Sequence, residues 1–161
     1  MPELLNLSPE EQVNFKKLII QECIAEKTTQ IKVLSEMIAS IKDSMANDTK
    51  SSAGDKHETS RENASQTLAI YENSLRKAME DLMIIENYKF KASYTSVDVG
   101  AVVVLEKMVL FILDNFTKMM DSNLNIMVAS SKGPFVQRML GKSKGYEFEF
   151  NNQSFKIIDV F

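Results

Sequence analysis

The sequence predicts an α+β protein: a long N-terminal antiparallel α-helical coiled-coil hairpin over 1–90, then a small, mostly antiparallel β domain with one short helix over 91–161. Three observations predict it. Apolar residues recur at three-four spacing in two stretches separated by a polar gap. β-Branched residues then crowd between 97 and 113. The chain closes on alternating aromatic and acidic residues, an Asn-Asn pair and a second apolar run.

The first helix begins near Pro9, where Ser8 can cap orphan amides, proline suits the first turn, and Glu11 stands at the capping-box position. Along it Ile24, Ile31, Leu34, Ile38, Ile41 and Met45 mark one stripe, interrupted once by Lys27. Residues 46–60 hold no large apolar side chain and many turn formers, which predicts a turn or a frayed helix end. The stripe then returns at Ala64, Leu68, Tyr71, Leu75, Ala78, Leu82 and Ile85, in a second helix ending near Asn87.

The two stripes are related. In Met45 with Ala64, Ile41 with Leu68, Ile38 with Tyr71, Leu34 with Leu75, Ile31 with Ala78 and Ile24 with Ile85, the residue numbers always add to 109. Two antiparallel helices that fold back on each other require such a constant, and it puts the turn at Gly54 and Asp55. An arm of about 38 residues would be roughly 55 Å long. A single chain satisfies this seam, which predicts a monomer.

Beyond Ser96, Val97 to Leu105 and Met108 to Leu113 read as paired strands, 114–123 as a loop or twisted hairpin, and Leu124 to Ala129 as a third strand. Pro134 to Leu140 reads as a short helix stopped by Gly141. Tyr146, Phe148 and Phe150 alternate with Glu147 and Glu149, Asn151-Asn152 turns, and Phe155, Ile157 and Ile158 return as the second strand of a terminal hairpin.

Composition bounds the function. A chain of 161 residues, 44% hydrophobic, can build a core. With 19 Lys and Arg against 22 Asp and Glu the net charge is −3, so no global attraction to nucleic acid is expected. One cysteine, Cys23, allows no internal disulfide and no cysteine zinc cluster, which suits a reducing compartment. No basic leader with an apolar core opens the chain, and no apolar run nears the roughly 20 residues that span a bilayer, so a cytoplasmic protein with no membrane partner is expected. One His57 and one Cys23 cannot form a Cys-His-His site. Gly-x-Ser-x-Gly elbows and the Gly-x-Gly-x-x-Gly and Gly-x-x-x-x-Gly-Lys-Ser/Thr phosphate loops are absent. Any catalysis would rest on carboxylates.

Asp55 and Glu58 are the candidate catalytic and metal-binding pair. Three residues apart at a helix start, they share one face and can share a cation. Two carboxylates alone hold Mg²⁺ weakly, because it keeps its waters and usually needs phosphate oxygens too, which predicts a half-site donated to a partner. Capping and the helix macrodipole also favour acids at a helix start whatever the function. His57 between them reads as a solvated loop histidine. Lys50, Lys56 and Arg61 near the tip could meet phosphates, yet Asp48 and Glu62 alternate with them, and a solvated mixed face is equally expected.

The hairpin, its tip Gly54-Asp55-Lys56-His57-Glu58 and the small C-terminal sheet resemble bacterial Gre-type transcript cleavage factors, whose tip reads Gly-Asp, two variable residues, then Glu. A second stretch, Gly133-Pro134-Phe135-Val136-Gln137-Arg138-Met139-Leu140-Gly141-Lys142 followed by Gly145 and Phe148, is similar to the family's helix ending in Leu-Ile/Leu-Gly-Lys before a terminal hairpin. The departures are Thr59 for Asn, Lys56 for an apolar residue, and Arg61-Glu62 for an acid and an aromatic. The resemblance implies a transcription elongation cofactor, not a free-standing enzyme, with an FKBP-like C-terminal domain docked on RNA polymerase at its secondary channel. It implies that Asp55 and Glu58 help hold a Mg²⁺ shared with the polymerase active site, where the 3′ end of a backtracked nascent RNA is cleaved.

Three rivals remain. A Gre-like regulator or inhibitor would occupy the channel without cleavage, as the departures at Lys56 and Thr59 favour. A coiled-coil adaptor would bind no polymerase. A peptidyl-prolyl isomerase would rest on analogy of shape alone.

Overall fold

The computed structural model describes residues 2–48, 56–89, 91–114, 118–119 and 126–161. A 3-10 turn, Pro2–Asn6, leads into helix α1, Pro9–Asp48, and helix α2 spans Lys56–Glu86. Strands β1, Val102–Leu105, β2, Val109–Leu113, β3, Lys118–Met119, and β4, Ile126–Ser130, precede a short helix α3, Pro134–Gln137. Strands β5, Glu147–Phe150, and β6, Gln153–Val160, close the chain. The layout is α+β: two long helices packed together, then a mixed sheet.

The start of α1 is a capping box. The Ser8 backbone N–H donates to Glu11 Oε2 at 2.7 Å, and the Glu11 N–H donates to Ser8 Oγ at 3.3 Å, which satisfies two orphan amides reciprocally. The hydrogen bonds from Ser8 hold the Glu11 carboxyl below its usual pKa.

The chain divides into two compact units, Glu22–Asn87 and Met1–Gln21 with Tyr88–Phe161. Sequence periodicity assigns residues 1–21 to the helical segment 1–90; they sit here with the sheet. The physical reason is local: the Phe15 ring packs against Phe161 at 6.2 Å, and Lys16 and Ile19 are buried.

In the unit Glu22–Asn87 the helices run antiparallel, because Lys27 pairs with Asp81 and Lys42 with Glu72, partner numbers falling along one helix as they rise along the other. From Ile24 onward the protected residues of α1 are Ile24, Lys27, Ile31, Leu34, Ile38, Ile41 and Met45. Those of α2 from Arg61 are Ala64, Leu68, Tyr71, Ser74, Leu75, Ala78, Asp81, Leu82 and Ile85. Every apolar residue of the expected stripes is therefore shielded. Lys27, the interruption, is matched by Asp81 at 2.9 Å, with both side chains only 12% exposed.

Among its described residues the other unit has six strands in the order β3-β4-β2-β1-β6-β5. Neighbours are antiparallel except β2 and β4, which run parallel from Val109↔Ile126 to Leu113↔Ser130. β1 and β2 are buried on both faces, as their unbroken apolar sequences require. Val103, Leu105, Leu110 and Ile112 join Val136, Met139, Phe148 and Ile157 in one core. By the period-2 rule Val102, Val104, Val109 and Phe111 face the other way. The β5–β6 turn places Asn151 and Asn152 at φ 50° and 60°, the left-handed pair that a tight two-residue hairpin needs. Gly141, at φ 74°, ends the turn after α3, and its N–H donates to the Val97 carbonyl at 2.8 Å.

Candidate functional site

The acidic pair proposed from sequence meets the structure at one end only. Asp55 lies outside the described residues, as do Lys50 and Gly54. α2 begins at Lys56, so His57 and Glu58 fall in its first turn, with their side chains outside the described residues. Arg61 and Glu62, one turn further, are exposed. Asp48 is the last residue of α1. Among the described residues no group of three or more His, Cys, Asp or Glu side chains could hold a metal ion.

The α1–α2 pair is built from the spacing of its apolar residues and one charge pair. Isoleucine, leucine and methionine at three-four spacing leave water along one line of each helix, and the buried Lys27–Asp81 pair pins the register, since either charge slipped by one turn would meet apolar neighbours. Beside the seam runs a groove of about 570 Å³, lined by Ile38, Leu75, Met79 and Met83 and edged by Lys42, Glu72, Arg76 and Glu80. Its edge is cross-linked by Lys42–Glu72 at 2.7 Å and Arg76–Glu80 at 3.0 Å, while Met79 and Met83 are 56% and 61% exposed.

Two charged residues that the sequence reading did not single out are structural. Asp81 is the partner of Lys27. Lys16 is fully buried, with Nζ donating to the carbonyls of Lys91 at 3.3 Å and Ala92 at 3.5 Å, and lying 4.5 Å from the Tyr94 ring centroid and 5.7 Å from that of Phe161. Carbonyl dipoles and ring faces hold the cation in place of water, and burial lowers its pKa to about 8. The signal existed in the sequence: Gln12, Lys16, Ile19 and Cys23 continue the three-four spacing toward the N-terminus.

Around this lysine the aromatic residues interlock. The Lys91 N–H donates to Tyr94 Oη at 3.0 Å. Burial, then the neighbouring Tyr94 to which it is hydrogen-bonded, push the Tyr88 phenol well above its usual pKa. At the far side of the sheet Ser131 Oγ donates to Asp114, the Ser131 N–H donates to the Leu113 carbonyl at 2.8 Å, and Gln137 Nε2 donates to the Ser131 carbonyl at 2.6 Å. These bonds tie the ends of the parallel pair β2 and β4 to α3.

No helix among the described residues is long and apolar enough to cross a membrane. Comparison of the chain with protein-family models and with curated proteins finds no match to either.

Proposed function

We propose that this chain is a Gre-type transcription elongation factor that enters the secondary channel of RNA polymerase and stimulates cleavage of backtracked nascent RNA. One observation carries the reading: two antiparallel helices with shielded three-four stripes stop at Asp48 and restart at Lys56, so the Gly54-Asp55-x-x-Glu58 motif straddles the restart. In this reading α1 and α2 form a coiled-coil hairpin, the tip reaches the polymerase active site, and the sheet-bearing unit is the FKBP-like docking domain. The protein acts as a monomeric cofactor in the cytoplasm.

Asp55 and Glu58 are hard oxygen donors, a set that fits Mg²⁺ but is incomplete alone, as expected of a site shared with polymerase carboxylates and RNA phosphate oxygens. A Mg²⁺ held there would supply a charge clamp and an acidified water for phosphodiester hydrolysis. The chain's own part is to bring two carboxylates to the RNA 3′ end on a helix start and to keep them oriented.

RNA cleavage in a stalled, backtracked complex of the cognate polymerase with Mg²⁺ tests this directly. Wild type should shorten the transcript, and Asp55→Ala or Glu58→Ala should lose most of that effect while still binding polymerase. Wild-type binding without cleavage, unchanged in both variants, would establish instead a channel-occupying regulator, the reading to which Lys56 and Thr59 point. No binding at all would leave a helical adaptor.

A further inference from the structure

In the unit Met1–Gln21 with Tyr88–Phe161 there is a pocket of about 440 Å³ lined by Lys17, Ile20, Gln21, Tyr88 and Lys89. Its volume is within the range of small-molecule sites. Lys17, Ile20 and Gln21 are spaced three and four apart on α1, so one helix face supplies an ammonium, an apolar branch and an amide. Tyr88 and Lys89, just beyond α2, supply the facing wall.

The charges of the lining are unbalanced. Two lysines and no carboxylate line the pocket among the described residues. Among the described residues neither Lys17 nor Lys89 is in an ion pair, although other lysines are, including Lys144 with Asp159 and Lys156 with Glu147 in the same unit. Two ammonium groups carried by the lining of one partly apolar pocket attract an anion that reaches both. Ile20 and the Tyr88 ring are both half-buried and offer an apolar wall that a bare inorganic ion would not use.

We propose that this pocket binds a small organic anion, a phosphate or carboxylate head joined to a compact apolar or aromatic body. Lys17 and Lys89 grip the head, Gln21 adds an amide donor, and the body lies on Ile20 and Tyr88. The site is separate from the acidic pair, and the proposal does not depend on the polymerase reading.

The full-length chain is titrated with phenyl phosphate, benzoate, inorganic phosphate and benzyl alcohol at low ionic strength, with backbone amide shifts as readout. Phenyl phosphate or benzoate should saturate, moving amides at 17–21 and 88–89, whichever of the two heads is preferred. Inorganic phosphate should bind at least about tenfold more weakly, and benzyl alcohol should not saturate. Lys17→Gln with Lys89→Gln should weaken the preferred probe at least about tenfold, the loss of charged contacts, and raised salt should do likewise. Both lysines are exposed, so the variant keeps the fold, and Lys89→Gln alone provides a milder check. The proposal is overturned if no organic anion saturates, if the double variant binds as wild type does, or if inorganic phosphate binds as tightly as phenyl phosphate.

Discussion

Lys16 shows how far a single side chain can depart from its usual behaviour. An ordinary lysine titrates near 10.5, and burial brings this one to about 8. Between those values the unfolded chain holds a proton that the folded chain has released, so stability rises with pH across that window and is lowest, in this respect, below pH 8. The span corresponds to about 3 kcal/mol. In urea titrations from pH 7 to 10.5, wild type should gain stability relative to Lys16→Met, whose curve lacks this rise. Parallel curves would show that Lys16 stays solvated. Lys27 and Asp81 are a second residue-level case. Removing one charge leaves the other buried, so Lys27→Ala or Asp81→Ala should each cost about 3 kcal/mol, while Lys27→Leu with Asp81→Leu should lie near wild type. A double-mutant cycle in urea gives the coupling, and additive single effects would refute the pairing.

At the scale of elements, the clearest relation between residue type and geometry is the β5–β6 turn. Asn151 and Asn152 both have positive φ, which asparagine tolerates and a β-branched residue does not. Asn151→Val should therefore cost about 1–2 kcal/mol, and Asn152→Gly should be neutral or stabilising in thermal melts. A harmless Asn151→Val would mean that the hairpin does not need its left-handed turn. The turn presents Phe148, Phe150 and Phe155 to Phe135, with ring centroids 5.5, 5.1 and 4.9 Å away, which explains why aromatic alternation reads as core and not as a ligand surface. The helices were equally legible: Ser8 and Glu11 announced the start of α1, and from Ile24 onward three-four spacing announced the shielded apolar residues of both helices.

For the whole molecule, protection against hydrogen exchange should follow the sheet order. β2 is paired on both sides and buried throughout, so its amides should exchange most slowly. β5 is paired on one side and exposes Glu147 and Glu149, so its outward amides should exchange early. Equal rates in β2 and β5 would contradict this order. Gly54 and Asp55 lie outside the described residues and Glu58 falls in the first turn of α2, while the sequence by itself determined the two long helices, the matching stripes along them and the terminal hairpin. These are properties of spacing and local chemistry, which a linear pattern records. Only the tertiary structure decided that β4 runs parallel to β2, that Asp81 answers Lys27, that Lys16 is buried under Tyr94 and Phe161, and that Lys17 and Lys89 share a pocket. Each of these joins residues far apart in the chain, and local spacing carries no information about which distant partner will satisfy a strand edge or a charge.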